Sequence, residues 1–292
     1  MRILVMGANG MIGHRIWLAA QERFETWGTL RTASAGKPWA SLFDSPRVIE
    51  GVPPDDPASI AAAFEVARPD VVINAIGLIK QREIGSDTGA AFTANSFLPH
   101  YLRDRADASG AKLVQISTDC VFTGNQGGYT ESDSPDALDV YGLTKRLGEV
   151  TQAPHLTIRT SALGRSLSGT DGLLEWFLNA PAAVTGYRRA VFSGLTTPTL
   201  AETILDLVER HADLTGLFHI ASEPINKYEL LVRVARALGH SMEITPADLP
   251  VIDRSLDDTA FRGTTGIPRP DWDAMLAGLA ADPTPYATLR GN

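Results

Sequence analysis

Tyr141 and Lys145 stand four residues apart in Tyr141-Gly142-Leu143-Thr144-Lys145, a spacing that puts a phenol and an ammonium on one helix face, one turn from each other. A free tyrosine, with a pKa of about 10, is a poor acid or base at neutral pH, but a neighbouring ammonium favours the phenolate and brings that value down. Such a pair suits general acid/base work at a carbonyl. Upstream, Ile116-Ser117-Thr118-Asp119 closes a β-branched run, and Ser117 or Thr118 there can hydrogen-bond a reacting oxygen. Taken alone, Tyr and Lys at helical spacing describe an exposed helix face. Their order and separation after a strand-end hydroxyl and a glycine turn favour chemistry.

The glycine turn is Gly7-Ala8-Asn9-Gly10-Met11-Ile12-Gly13. It follows the first apolar run and opens the first helical pattern, the context required of a dinucleotide-binding loop. Glycines permit a tight turn, and free amides at the helix start favour a pyrophosphate. Gly7, Asn9, Gly10, Met11, Ile12 and Gly13 are the expected contacts. The second strand ends at Arg31-Thr32 without the Asp or Glu that holds a ribose 2′-hydroxyl. Arg31 and Thr32 therefore suit a 2′-phosphate, which favours NADP(H) over NAD(H). Asp55 and Asp56 precede a helix and either accept from an adenine amino group or cap that helix.

These side chains need a scaffold, and the apolar pattern supplies one. Short strands at Ile3–Val5, Thr26–Leu30, Val71–Ile73, Lys112–Ile116 and Leu156–Arg159 alternate with helical stretches at 11–23, 57–67, 90–109 and 140–151. That rhythm predicts an α/β fold with a doubly wound parallel sheet and helices on both faces. Beyond Thr160 it loosens: helices are expected at 173–179, 200–211 and 227–238 and a strand at 190–193. The recurring prolines from Pro246 to Pro285 then predict an irregular tail with little more than one short helix. Residues 1–160 are expected to bind the cofactor. Residues 161–292 form a smaller, discontinuous substrate lobe, with a segment near 190–222 returning to the first domain.

Composition narrows the partners. A net charge of -8 argues against broad nucleic-acid binding. No apolar run approaches the roughly 18 residues of a membrane helix, so no membrane partner is expected. The single cysteine, Cys120, excludes an intrachain disulfide framework and a Cys-rich metal site; the cytoplasm is the default compartment. No His/Asp/Glu cluster has ligand spacing, so no catalytic metal is expected.

The stretches Gly7 to Gly13, Asn74-Ala75-Ile76-Gly77, Ser117 to Phe122, Tyr141 to Lys145 and Ile158-Arg159-Thr160-Ser161 together resemble the extended short-chain dehydrogenase/reductases, most of all the dTDP-4-dehydrorhamnose reductases. A weaker likeness runs through Gly194 to Thr199, Asp253 to Leu256 and Gly266 to Trp272. The resemblance implies a Rossmann-like fold and reduction of a 4-keto nucleotide-diphosphate sugar in deoxysugar or polysaccharide precursor synthesis. It makes NADPH the preferred cofactor, with NADH as the lesser alternative. By the same likeness Thr118 orients the carbonyl and Tyr141 protonates it. Lys145 lowers the tyrosine pKa and holds the nicotinamide ribose. Ala75, Ile76, Gly77, Asn95 and Ser117 lie in the cofactor region. Substrate contacts are expected at Lys80, Thr118, Asp119, Val121, Phe122, Trp176 and Arg254, the last an Arg fork for a diphosphate. A homodimer is allowed for.

Two departures qualify the likeness. Ala162 replaces a tryptophan that the rhamnose-forming enzymes tend to place against the sugar nucleotide, and Asp119-Cys120 replaces the Asp-Glu pair of related dehydratases. Water elimination is thereby disfavoured. Two alternatives stay open: an epimerase that keeps its cofactor, and a non-catalytic NADP-binding regulatory subunit.

Overall fold

Ile3, Leu4 and Val5 are fully buried. A strand apolar on both faces belongs at the centre of a parallel sheet, and the computed structural model, which describes residues 1–78, 88–169 and 172–290, has it there. The strands β1 (Arg2–Met6), β2 (Glu25–Thr29), β3 (Val48–Ile49), β4 (Val71–Asn74), β5 (Lys112–Thr118), β6 (Leu156–Thr160) and Gly216–His219 form one sheet. Its order is Gly216–His219, β6, β5, β4, β1, β2, β3, and every neighbouring pair is parallel. The chain winds outward in one direction from β1 and in the other from β4, so the crevice above their carboxyl ends is the topological switch point, where open α/β sheets bind ligands. The doubly wound expectation therefore holds.

Alternate residues of β1 serve the two faces. Ile3 and Val5 join a core with Ile16 and Trp17 of α1 (Gly13–Ala20), while Leu4 and Met6 join Ile60 and Phe64 of α2 (Pro57–Ala67). Register sets the depth of the edge: Asn74 ends β4 opposite Gln115, whereas β5 runs three residues further, to Thr118 opposite Thr160 of β6. Thr118 thus stands above the crevice on a strand held from both sides.

The long helix expected over 90–109 is broken. α3 (Thr88–Phe92) passes through a π-helical turn, Thr93–Phe97, into α4 (Leu98–Ser109). Pro99 explains the break, because it has no N–H to give the carbonyl of Asn95 and its ring crowds that carbonyl. The tail is more regular than expected: Thr259–Thr265, Trp272–Ala280 and Tyr286–Leu289 are all helical. Pro270 and Pro285 stand just before helices instead of replacing them; Pro285 precedes the last one, and the Asp271 carboxylate caps the one before. Among the described residues no helix is long and apolar enough to cross a membrane.

Candidate active site

The glycine turn is shaped by close backbone approach. Gly7 has φ +75°, and a Cβ on Gly13 would lie 2.1 Å from the Gly7 carbonyl oxygen, so no side chain fits where the helix meets the turn. The Gly7 amide donates to Thr29 Oγ1 at 3.1 Å, and the Gly10 amide donates to the Gly7 carbonyl at 3.0 Å. α1 starts at Gly13, two residues later than expected, which leaves Met11 in the turn. Beside it opens a cavity of about 340 Å³. Gly7, Asn9, Gly10 and Met11 form one wall, Ala75, Ile76 and Gly77 another, and Arg31 and Thr32 line it as well.

Other expected contacts fall elsewhere. Ile12 packs on the core beneath α1. Gly13 acts through the close approach just described. Asp56 is a helix cap, its carboxylate accepting from the amides of Ala58 and Ser59 at 3.0 and 3.2 Å, which decides between the two readings of that residue. Asp55 is exposed and outside the cavity lining, where Val52 and Pro54 stand instead. Sequence reading missed Lys37, a second cation lining the cavity with Arg31, and the loop Ser166–Ser168, which lines it too. Five residues separate Arg31 from Lys37 in an aperiodic stretch. Only their shared sign hinted at a common task.

Thr118, Tyr141 and Lys145 meet at the step in the sheet edge. α5 (Val140–Leu147) carries the last two, with the Asp139 carboxylate capping its start through the Gly142 amide at 3.0 Å. A Cβ on Gly142 would lie 2.3 Å from the Cys120 carbonyl oxygen. Glycine therefore lets α5 press against the turn after β5 and brings the phenol to Thr118. The buried Thr118 hydroxyl donates to Asp119 Oδ1 at 3.1 Å and accepts from the Cys120 amide. The Lys145 ammonium donates to the Ile116 carbonyl at 2.6 Å. It also lies 3.8 Å from where a Cβ on Gly77 would be, which joins the reactive group to the cavity.

The electrostatics correct one expectation. Burial pushes the Tyr141 phenol above its usual range, with Cys120 and Asp119 adding to the rise and a hydrogen bond to Thr118 opposing it. Burial also brings Lys145 down to about 8, against the pull of Glu149. The two side chains share a helix face, but the ammonium donates to a main-chain carbonyl, and burial outweighs the acidifying influence expected of it on the phenol. Burial raises the Asp119 carboxyl, while Thr118 and Arg254 oppose the rise. The Cys120 thiol is pushed up to about 12 by burial and the nearby Asp119, so it is not a thiolate nucleophile.

Asn95 is fully buried in the π-helical turn. Its side chain accepts from the Leu78 amide at 2.9 Å and donates to the Leu78 carbonyl and Thr144 Oγ1, both at 3.1 Å. It ties the end of the β4 loop to α5 as a brace at the edge of the cavity, which Leu78 lines. Ser117 is likewise turned away: its hydroxyl donates to Glu149 Oε1 at 2.7 Å, and Glu149 is also chelated by Arg159 at 2.7 and 2.8 Å. Glu149 had no signal of its own. Only its place four residues after Lys145 marked it.

On the substrate side, Val121 and Phe122 are corrections. Both are fully buried in a cluster with Tyr129 and Leu256, and Phe122 stacks on Tyr129 with ring centroids 4.1 Å apart. Their side chains cannot meet a ligand. Arg254 lies against the turn after β5, where its Nε donates to the Phe122 carbonyl at 2.9 Å and its charge acts on Asp119. Trp176, on α6 (Leu173–Leu178), is 45% exposed. Lys80 lies outside the described residues.

The family described as RmlD substrate binding domain matches residues 1–281. Methionine adenosyltransferase 2 subunit beta of Mus musculus is 32% identical over 278 residues, covering 86% of this chain and 77% of that protein. The dTDP-4-dehydrorhamnose reductase of Shigella flexneri is 33% identical over 245 residues, covering 74% and 81%. Among solved structures, dTDP-4-dehydrorhamnose reductase from Bacillus anthracis str. Ames in complex with NADP shares the fold, with a TM-score of 0.75, 17% identity and coverage of 95% and 98%.

Proposed function

Since the chain belongs to the RmlD substrate binding domain family, we propose that it is a reductase of the extended short-chain dehydrogenase/reductase type, reducing a 4-keto nucleotide-diphosphate sugar with NADPH. The observation that carries this reading is the convergence of Thr118, Tyr141 and Lys145 beside Gly77, on the rim of a cavity that the glycine turn lines. The close approach at Gly13 packs the start of α1 against the turn, whose Gly7 and Gly10 line the cavity where a pyrophosphate would sit, and Arg31 and Lys37 offer paired charge for a 2′-phosphate. The NADP complex of a fold neighbour supports the same cofactor class. When bound, the cofactor supplies the hydride that the carbonyl carbon receives.

The chain's own groups do the rest. Thr118 and Tyr141 receive the carbonyl oxygen, and the phenol, protonated throughout the neutral range because burial raises its pKa, gives it the proton. Lys145, on the Ile116 carbonyl beside Gly77, would hold the nicotinamide ribose, and Asn95 fixes the β4 loop against α5 next to it. Arg254 meets the diphosphate, Asp119 lines the sugar pocket, and Trp176 offers a stacking face. The sugar nucleotide is held mainly by residues 161–292. A screen of 4-keto dTDP-, UDP-, GDP- and CDP-sugars, following NADPH absorbance, tests the activity. Tyr141→Phe is expected to lower kcat by two or more orders of magnitude while cofactor still binds, and a variant as fast as wild type defeats the reading. Arg31→Asp combined with Lys37→Ser is expected to move preference toward NADH; an unchanged ratio shows that neither reads the phosphate.

The match to a subunit of methionine adenosyltransferase favours a second reading, a cofactor-binding subunit without turnover. Tight NADPH binding with no consumption across the whole panel decides for it. Copurifying cofactor with sugar interconversion and no net consumption marks an epimerase.

A further inference from the structure

His14, fully buried on α1, brings its two ring nitrogens to two different parts of the chain. Nδ1 lies 2.8 Å from the Gly10 carbonyl oxygen, and Nε2 lies 2.8 Å from the Tyr286 hydroxyl. A carbonyl can only accept, so Nδ1 carries the proton of the neutral ring, which leaves Nε2 and the Asp282 carboxylate as the two acceptors around the single Tyr286 hydroxyl proton. That phenol also stands 2.9 Å from the Asp282 carboxylate, whose other oxygen accepts from Arg15 at 2.8 Å. The turn is thus wired, through α1, to a segment about 270 residues further along.

The same segment reaches a second part of the cavity lining. The Tyr286 ring lies under the Arg165 guanidinium, 4.9 Å from its centroid, and Arg165 donates to the fully buried Glu175 at 2.8 Å. Glu175 also accepts from the Ser166 amide at 2.8 Å and from Arg290, which in turn donates to the Gly169 carbonyl. The loop Ser166–Ser168, which lines the same cavity as Gly7 and Gly10, is therefore anchored at both ends.

We propose that Asp282–Arg290 is a clamp that holds the glycine turn and the Ser166–Ser168 loop at the separation the dinucleotide needs, with Tyr286 and Arg290 as its positioning residues. This rests on the reading of that cavity as the cofactor site. The clamp works by paying beforehand the ordering cost that a ligand wedged between two loose walls would otherwise meet. It touches neither the substrate nor the phenol at the chemical centre, so it acts on affinity and leaves the chemical step alone.

Tyr286→Phe and Arg290→Ala each remove one link and leave the rest of the segment in place. Losing either link is expected to raise the NADPH Kd about five- to tenfold, with kcat at saturating cofactor unchanged within about twofold. In the ligand-free protein, hydrogen exchange is expected to speed up at the amides of 10–14 in Tyr286→Phe and of 166–169 in Arg290→Ala. Wild-type protein that binds neither NADPH nor NADH overturns the reading of the cavity. Wild-type binding with unchanged Kd and unchanged exchange in both folded variants overturns the clamp alone.

Discussion

Lys145 stands where an ammonium is costly. Its burial brings it from the ordinary 10.5 to about 8, so the folded state disfavours the charged form. The penalty is complete below about pH 8, where the group is charged whether folded or not, and is relieved as pH rises from about 8 toward the unfolded value. A methionine of similar length fills the space without the charge. Lys145→Met is therefore expected to abolish turnover and yet to raise stability at pH 7 by on the order of 1–3 kcal/mol, with the advantage shrinking between pH 8 and 10. Urea unfolding at pH 7 and pH 10 measures both arms; a variant less stable than wild type at both would show that the Ile116 hydrogen bond outweighs desolvation. The phenol–ammonium pair was legible from spacing alone. The direction of its electrostatics was not, because it depends on burial and on a main-chain carbonyl that no local pattern names.

Among the elements, the π-helical turn decides how α5 meets the β4 loop. Pro99 frees the Asn95 carbonyl from regular helical bonding, and the Asn95 side chain bridges Leu78 and Thr144. Asn95→Ala strands the polar groups it held, each costing about 1–3 kcal/mol when buried without a partner. A loss of about 2–3 kcal/mol in denaturant unfolding is expected, together with weaker cofactor binding. A loss below about 0.5 kcal/mol, the range of an ordinary surface change, would remove the brace. The sequence pattern carried one long helix over this stretch, since apolar periodicity does not register a single extra residue in a turn. Val121 and Phe122 show the same limit: their place after the strand-end threonine suggested a pocket wall, while packing against Tyr129 and Leu256 turned both inward.

For the molecule as a whole, acid is expected to act through two histidines. His14 and His219 are both brought down to about 4, chiefly by burial. Their folded values lie below the ordinary 6.5, so the unfolded chain takes up protons first as pH falls. Stability is full above about pH 6.5 and declines toward pH 4, by about 1.4 kcal/mol per pH unit for each histidine. Asp119, whose carboxyl burial raises, works in the opposite direction and offsets part of that slope. Urea unfolding at pH 7, 6 and 5 should show the decline, and His14→Gln should remove roughly half of the histidine share; an unchanged slope in that variant would count against it.

The sequence by itself determined the doubly wound sheet, the glycine turn, and the three residues that meet above β5. Each of those is written in short-range spacing: alternation of period 2 and 3.6, a turn that only glycine can make, and a phenol four residues before an amine. Tertiary structure alone decided which nearby polar groups face the cleft. It turned Ser117 to Glu149, made Asp56 a cap, brought Lys37 beside Arg31, and ran the Asp282–Arg290 segment back to the first helix. Those outcomes depend on partners tens to hundreds of residues away, and a buried polar group goes wherever a distant chain satisfies it.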